Sequence, residues 1–150
     1  MTVRPATRED LAAIAQIQRA SPEASAWEPA SYLDYYCRVA IGAGRVVGFL
    51  VFRRLTQGDA FQEHEMQEHE MQEHEILNLG VEPASRRKGV ARMLLQRALA
   101  EAPGAWFLEV RESNLAAIRL YESLGFRPAG ERKDYYQDPP EAAIVMRFLS

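Results

Sequence analysis

The sequence predicts a mixed α/β fold, with one mostly antiparallel central sheet of about seven strands and four helices. Three observations carry that expectation. Short runs rich in Val, Ile and Phe have strand length and are bounded by Gly and Pro. Other stretches repeat apolar residues at helical spacing. The two kinds alternate as strand, two helices, three strands, helix, strand, helix, two strands, a pattern that layers helices on a sheet.

Thr2 to Ala6 reads as a first strand that stops near Pro5. Thr7 or Asp10 can cap the helix carrying Leu11, Ile14 and Ile17, which Ser21-Pro22 ends. A second short helix is expected from Pro29 and Ser31, carrying Tyr32, Leu33, Tyr35 and Tyr36, with Trp27 in the connection before it. Arg38 to Ala43 and Arg45 to Leu55 form an expected hairpin around a glycine-containing turn. Ile76 to Val81 is a short apolar strand. The helix after it carries Val90, Met93, Leu94 and Leu99 and runs to about Ala102, ended by Pro103-Gly104. Ala105 to Val110 reads as a buried strand in which Glu109 is conspicuous. Ser113 can cap a helix through Leu124 with Gly125 as its stop, and Tyr121 falls on its apolar side. Phe126 to Glu131 and Ala142 to Leu149 close the sheet, joined by a loop containing Tyr135, Tyr136, Pro139 and Pro140.

At 150 residues the chain is expected to form a single domain, 1–150, able to bury a substantial core. The longest apolar run, Val46 to Phe52, is too short to span a bilayer, and the N-terminal residues lack the apolar core of a signal peptide. The single cysteine, Cys37, excludes an intrachain disulfide framework and fits a reducing cytoplasm. Cys37 could act as a nucleophile, but a lone cysteine among aromatics reads as a small packing residue. The formal net charge is −3, and six acids, Glu63, Glu65, Glu68, Glu70, Glu73 and Glu75, lie in one segment, so the remainder is mildly basic.

That segment, at about 61–75, holds three copies of a five-residue unit: Phe61-Gln-Glu-His-Glu, Met66-Gln-Glu-His-Glu and Met71-Gln-Glu-His-Glu. All three histidines, His64, His69 and His74, are in it. Metal-binding helices place two histidines four apart on one face. A spacing of five rotates successive copies by roughly 140° on a helix and puts them on opposite faces of a strand. No metal site is therefore expected, and the segment reads as an inserted, solvated loop or lengthened hairpin. Its acids are expected to steer a basic partner on approach.

Between Val81 and Met93 the chain reads Glu82-Pro83-Ala84-Ser85-Arg86-Arg87-Lys88-Gly89-Val90-Ala91-Arg92. A strand feeding a basic, glycine-containing turn at a helix start suits an anion. The first helical turn leaves backbone N–H groups unpaired, and its dipole favours negative charge. A solvated basic helix start is the other reading of the same residues.

The element order, with R-x-x-G-x-A at the third helix start, resembles the GCN5-related N-acetyltransferase superfamily along the whole chain. L-E-V-R-E-S-N-L-A-A-I-R-L-Y-E-S-L-G-F from Leu108 to Phe126, followed by R-K-D-Y-Y from Arg132 to Tyr136, is similar to the bacterial branch that acetylates the N-terminal alanine of ribosomal protein S18. The resemblance implies an acyl-CoA N-acyltransferase fold with acetyl-CoA between the splayed strands at Ile76–Val81 and Ala105–Val110. Leu79, Gly80 and Val81 would pair with its acetyl-pantetheine arm as an added strand does. Arg87, Lys88, Gly89, Val90, Ala91 and Arg92 would cradle the pyrophosphate, with Ala91 where many relatives have a second glycine. Asn114 would be a further cofactor contact. Glu109 would be the general base and Tyr121 the acid that protonates the departing thiolate. Trp27, Tyr135 and Tyr136 would border the groove for the acceptor's N-terminus. The resemblance further implies a cytoplasmic enzyme, a monomer or weak dimer, whose partner is a protein N-terminus rather than nucleic acid or membrane. Acceptors other than S18, small amines included, and a non-catalytic acyl-CoA-binding regulator are the competing readings.

Overall fold

The computed structural model describes residues 1–21, 27–55, 72–137 and 140–149. The strands are β1 (Thr2–Pro5), β2 (Tyr36–Gly42), β3 (Arg45–Arg54), β4 (Glu73–Val81), β5 (Ala105–Arg111), β6 (Arg127–Tyr136) and β7 (Glu141–Leu149). They form one sheet in the order β1-β2-β3-β4-β5-β7-β6. The β1–β2, β2–β3, β5–β7 and β6–β7 pairings are antiparallel and β4–β5 is parallel. The α-helices are α1 (Leu11–Arg19), α2 (Val90–Glu101) and α3 (Leu115–Leu124). The expected second helix is a 3-10 helix at Pro29–Asp34. Tyr35 and Tyr36 are not part of it, because Tyr36 already opens β2 and pairs with Phe52. The chain divides into two compact units, residues 1–53 with 76–102, and residues 54–75 with 103–150.

In the first unit, α1 turns Ile14 and Ile17 onto Tyr32, Cys37, Val39, Phe49 and Val51 to form a core cluster. Asp10 anchors the start of α1. Its carboxylate accepts hydrogen bonds from the Arg4 guanidinium at 2.8 and 3.0 Å and from the Thr7 backbone N–H at 2.7 Å. The Arg4 bonds chiefly hold this carboxyl below its usual range. Cys37 is 5% exposed, and burial pushes its thiol up to about 12. A thiol so disfavoured as thiolate is a packing residue here and not a nucleophile.

In the second unit, Trp106 is fully buried and β5 is buried along nearly its whole length. Phe126 stands between Tyr121 and Phe148, with ring centroids 5.6 and 5.3 Å away. Asn114, rather than the expected Ser113, caps α3, its Oδ1 accepting from the Ala117 N–H at 3.2 Å. The Ser113 N–H is instead taken by Glu141 Oε2 at 2.6 Å. Tyr135 and Tyr136 also depart from expectation, since both lie in β6 and not in a loop. The register explains this: Arg132 pairs with Ala143 and Tyr136 with Glu141, so four steps on β6 match two on β7. The surplus bulges out with Asp134 at φ 55°, and the ladder then resumes.

The last copy of the repeat also departs from expectation. β4 begins at Glu73 rather than Ile76, and Glu73, His74 and Glu75 pair with Ala105, Trp106 and Phe107. Strand alternation turns His74 inward, where it is 5% exposed and stacked 4.6 Å from the Trp106 ring. The copies before Gln72, with His64 and His69, lie outside the described residues, as does the acidic steering expected of them. Among the described residues no cluster of three or more His, Cys, Asp or Glu side chains could hold a metal.

Burial lowers the His74 pKa from its ordinary 6.5. The unfolded chain therefore binds this proton more readily than the folded one. Stability from His74 is complete above about 6.5 and is lost as pH falls from there through the folded value. Denaturant titrations across this window are expected to show less pH dependence in His74→Phe, which keeps a ring on Trp106, than in the wild type. Equal slopes would remove His74 as the source.

Candidate functional site

The first unit carries the β4–α2 connection. Along β4, Ile76, Asn78 and Gly80 point to one face and are buried, while Leu77, Leu79 and Val81 are half-buried on the other. Gly80 has no room for a side chain: a Cβ there would lie 2.7 Å from Phe49 Cε1 and 3.2 Å from Ile17 Cγ2. Its packing role stands beside the backbone role expected of it. Gly80→Ala is expected to cost about 1–3 kcal/mol by overpacking, read as a lowered thermal midpoint. An unchanged midpoint would show that Phe49 gives way freely.

After Val81, Glu82 is fixed by Arg45 and by the Ser85 hydroxyl, and its N–H donates to Val47 O at 2.9 Å. A 3-10 turn at Pro83–Ser85 follows. Arg86 then braces the turn from behind, donating to Val81 O, Ala20 O and Ser21 Oγ at 3.0–3.1 Å. Arg87 at φ 65° and Gly89 at φ 81° turn the backbone into α2. Gly89 is the N-cap of α2 and supplies no side-chain acceptor, so side-chain capping leaves the first-turn N–H groups alone. Nothing lies within 4 Å of where a Gly89 Cβ would stand, and Arg87, Lys88 and Arg92 are exposed around it. Val90 is buried and Ala91 half-buried, so these two offer backbone rather than side chain. An uncapped helix start ringed by cations fits a pyrophosphate.

One polar group here escaped the sequence reading. Asn78 is 6% exposed, and its Nδ2 donates to Tyr32 Oη at 2.9 Å and to Gln18 Oε1 at 3.1 Å. The Tyr32 hydroxyl in turn donates to Gln18 Oε1. Trp27, 37% exposed, lies over this network, 6.3 Å from Tyr32 and 6.4 Å from Tyr35, and its carbonyl accepts from Gln18 Nε2. The signal was available: an asparagine in the inward register of an otherwise apolar strand needs buried partners.

The second unit carries the titratable groups. Glu109, on β5 opposite Val145, has a side chain 19% exposed. Arg132 Nη1 approaches its Oε2 at 3.0 Å, and the Tyr135 hydroxyl hydrogen-bonds to the same carboxylate. The Tyr136 hydroxyl donates to the Glu109 carbonyl at 3.4 Å, and the Arg111 guanidinium lies 4.2 Å from the Tyr136 ring centre. Burial pushes the Tyr136 hydroxyl up to about 12, and burial followed by the Glu109 bond raises Tyr135. Tyr121, on α3, is 7% exposed; burial raises its hydroxyl far above the tyrosine range, with Tyr136 adding to the effect. The fold thus gathers Glu109, Tyr135 and Tyr136, with Tyr121 in electrostatic reach of Tyr136. It adds Arg132, to which the sequence assigned no role. Asn114 has its Oδ1 engaged in the cap, which leaves its Nδ2 to donate. A carboxylate acceptor beside tyrosines that keep their protons can take a proton at one point and give one at another.

The family model of the acetyltransferase (GNAT) family matches residues 5–126. The [ribosomal protein bS18]-alanine N-acetyltransferase of Salmonella typhimurium is 38% identical over 99 residues, covering 62% of this chain and 67% of that protein. The N-alpha-acetyltransferase RimI of Mycobacterium tuberculosis is 35% identical over 127 residues, covering 84% and 73%. Among solved structures, the ribosomal-protein-S18-alanine N-acetyltransferase of Escherichia coli superposes with a TM-score of 0.77 at 28% identity, covering 98% of this chain and 92% of that one. Naa20 of Chaetomium thermophilum, in complex with a bisubstrate analogue, gives 0.83 at 28%, covering 99% and 86%. With most of its length matched by the family model and its fold shared with these structures, the chain belongs to the acetyltransferase (GNAT) family.

Proposed function

We propose that this enzyme transfers the acetyl group of acetyl-CoA to a protein's N-terminal α-amine, its principal acceptor being the N-terminal alanine of ribosomal protein S18. The observation that carries the reading is Glu109, part-buried on β5, its carboxylate met by Arg132 and Tyr135 and its backbone carbonyl by Tyr136. The relatives named for S18-alanine acetylation support the choice of acceptor.

Acetyl-CoA supplies the acyl group as a thioester. The backbone of Leu79, Gly80 and Val81 holds its pantetheine arm, and the uncapped α2 start with Arg87, Lys88 and Arg92 holds its pyrophosphate, Asn114 donating as a further contact. A terminal α-amine, with a pKa of roughly 8, arrives partly protonated. Glu109 accepts the amine's proton, the new N–C bond forms as the C–S bond breaks, and Tyr121 gives its hydroxyl proton to the leaving sulfur. Tyr135 and Tyr136 beside Glu109, and separately Trp27 in the first unit, are the candidate acceptor contacts. The reaction takes place in the cytoplasm, where ribosomal proteins are made; no helix among the described residues is long and apolar enough to cross a membrane.

The test is incubation with acetyl-CoA and peptides that begin with Ala, Ser or Met or carry a blocked N-terminus, read by mass. A gain of one acetyl group on the Ala-starting S18 peptide above the others is expected. Acetylation of lysine side chains or small amines only would overturn it.

A further inference from the structure

We propose that Arg132 is a stand-in for the acceptor: its guanidinium occupies the Glu109 carboxylate until the incoming α-ammonium displaces it. This rests on the reading of Glu109 as the group that receives the amine. Arg132 Nη1 lies 3.0 Å from Glu109 Oε2. The Glu109 side chain is 19% exposed, that of Arg132 53%. A pair with one half-exposed partner is weak and exchangeable, whereas the Arg4–Asp10 pair of this same chain is held by two hydrogen bonds.

The surroundings favour exchange on the arginine side. β6 is the last strand of the sheet, and its residues from Arg127 to Tyr135 are exposed. Arg132 stands just before the bulge at Asp134, with its guanidinium 5.2 Å from the Tyr135 ring centre. Released from Glu109, it keeps an aromatic face and open solvent on which to rest. The nearby Arg111 cannot play this part, because Glu141 at 3.3 Å and the Tyr136 ring hold it. An N-terminal ammonium brings the same charge and the same N–H donors that Arg132 presents, so the two compete for one carboxylate. A blocked N-terminus brings no such charge and leaves Arg132 in place.

The competition predicts a gain where a contact residue would give a loss. For an Ala-starting basic peptide, Arg132→Gln is expected to lower KM by about two- to fivefold, the worth of an exposed ion pair, with kcat moving less. Arg132→Lys, which keeps the charge, is expected to restore KM towards the wild-type value. An unchanged or raised KM in Arg132→Gln would overturn the proposal, since an arginine that binds the peptide or merely supports the bulge gives that result. A second arm needs neither turnover nor an Arg132 variant. L-Alaninamide titrated into the wild-type enzyme is expected to shift the Arg132 guanidinium NMR signal, and to leave it unmoved in Glu109→Gln. An unmoved signal in the wild type at saturating alaninamide overturns the stand-in. A wild-type enzyme that acetylates no peptide overturns the N-terminal acceptor reading instead, and the alaninamide titration still decides the role of Arg132.

Discussion

Replacing Glu109 by Gln is expected to lower kcat for the Ala-starting peptide by about a hundred- to ten-thousand-fold, the range for loss of a positioned general base. The amide keeps the size of the carboxylate and can still touch Tyr135, so the fold has little reason to change. The Arg132 ion pair is lost, and with Arg132 half-exposed that costs at most about 1 kcal/mol. Acetyl-CoA affinity, assigned to β4, the turn into α2 with its first residues, and Asn114, is expected to stay near the wild-type value. The discriminating measurement is single-turnover acetyl transfer with cofactor binding measured separately. Transfer at the wild-type rate would remove Glu109 as the base. A parallel fall in cofactor affinity would mean that the substitution disturbed more than proton transfer.

Glu109 and Tyr121 could be singled out in the sequence because each breaks or follows a period. Glu109 is a charge inside an apolar run, and Tyr121 falls on the apolar side of an amphipathic helix. The same periodicities place β2, β3, β5, α1, α2 and α3 to within a few residues. What escaped the sequence depends on pairing between segments. The bulge at Asp134 is set by the β6–β7 register, and no local signal announces an aspartate at positive φ. Tyr135 and Tyr136 therefore read as loop residues, and Arg132 had no visible partner, because Glu109 reaches it across β7. His74 misled in the opposite sense. A run of Glu, His and Gln reads as solvated, yet pairing with β5 creates an inward slot against Trp106 that a neutral imidazole fills. Asn78 was legible in its register but not in its partners, since Gln18 and Tyr32 are distant in sequence. The positions of Glu109 and Tyr121 were local enough to read, while the roles proposed for them come from the family resemblance; the groups packed around them were not legible.

Tyr121→Phe is expected to lower kcat by about a hundred-fold or more while leaving the protein as stable as before or slightly more so. The hydroxyl is all that is removed, and the ring keeps its place against Phe126. Burial raises the wild-type hydroxyl far above its ordinary value of 10.0, so it holds its proton across the neutral range. The same burial makes a second, independent prediction. Because the unfolded tyrosine loses its proton near 10 and the folded one does not, Tyr121 contributes stability that is complete below about 10 and declines as pH rises beyond it. Tyr121→Phe is expected to flatten that alkaline decline in a denaturant titration, partly and not wholly, because Tyr136 and Cys37 are raised by burial as well. The two measurements separate the roles of this residue. A flattened decline with full turnover would make Tyr121 a core tyrosine and assign the sulfur's proton to another donor. A lost turnover with the decline flattened as expected is the signature of a buried acid acting on the leaving group.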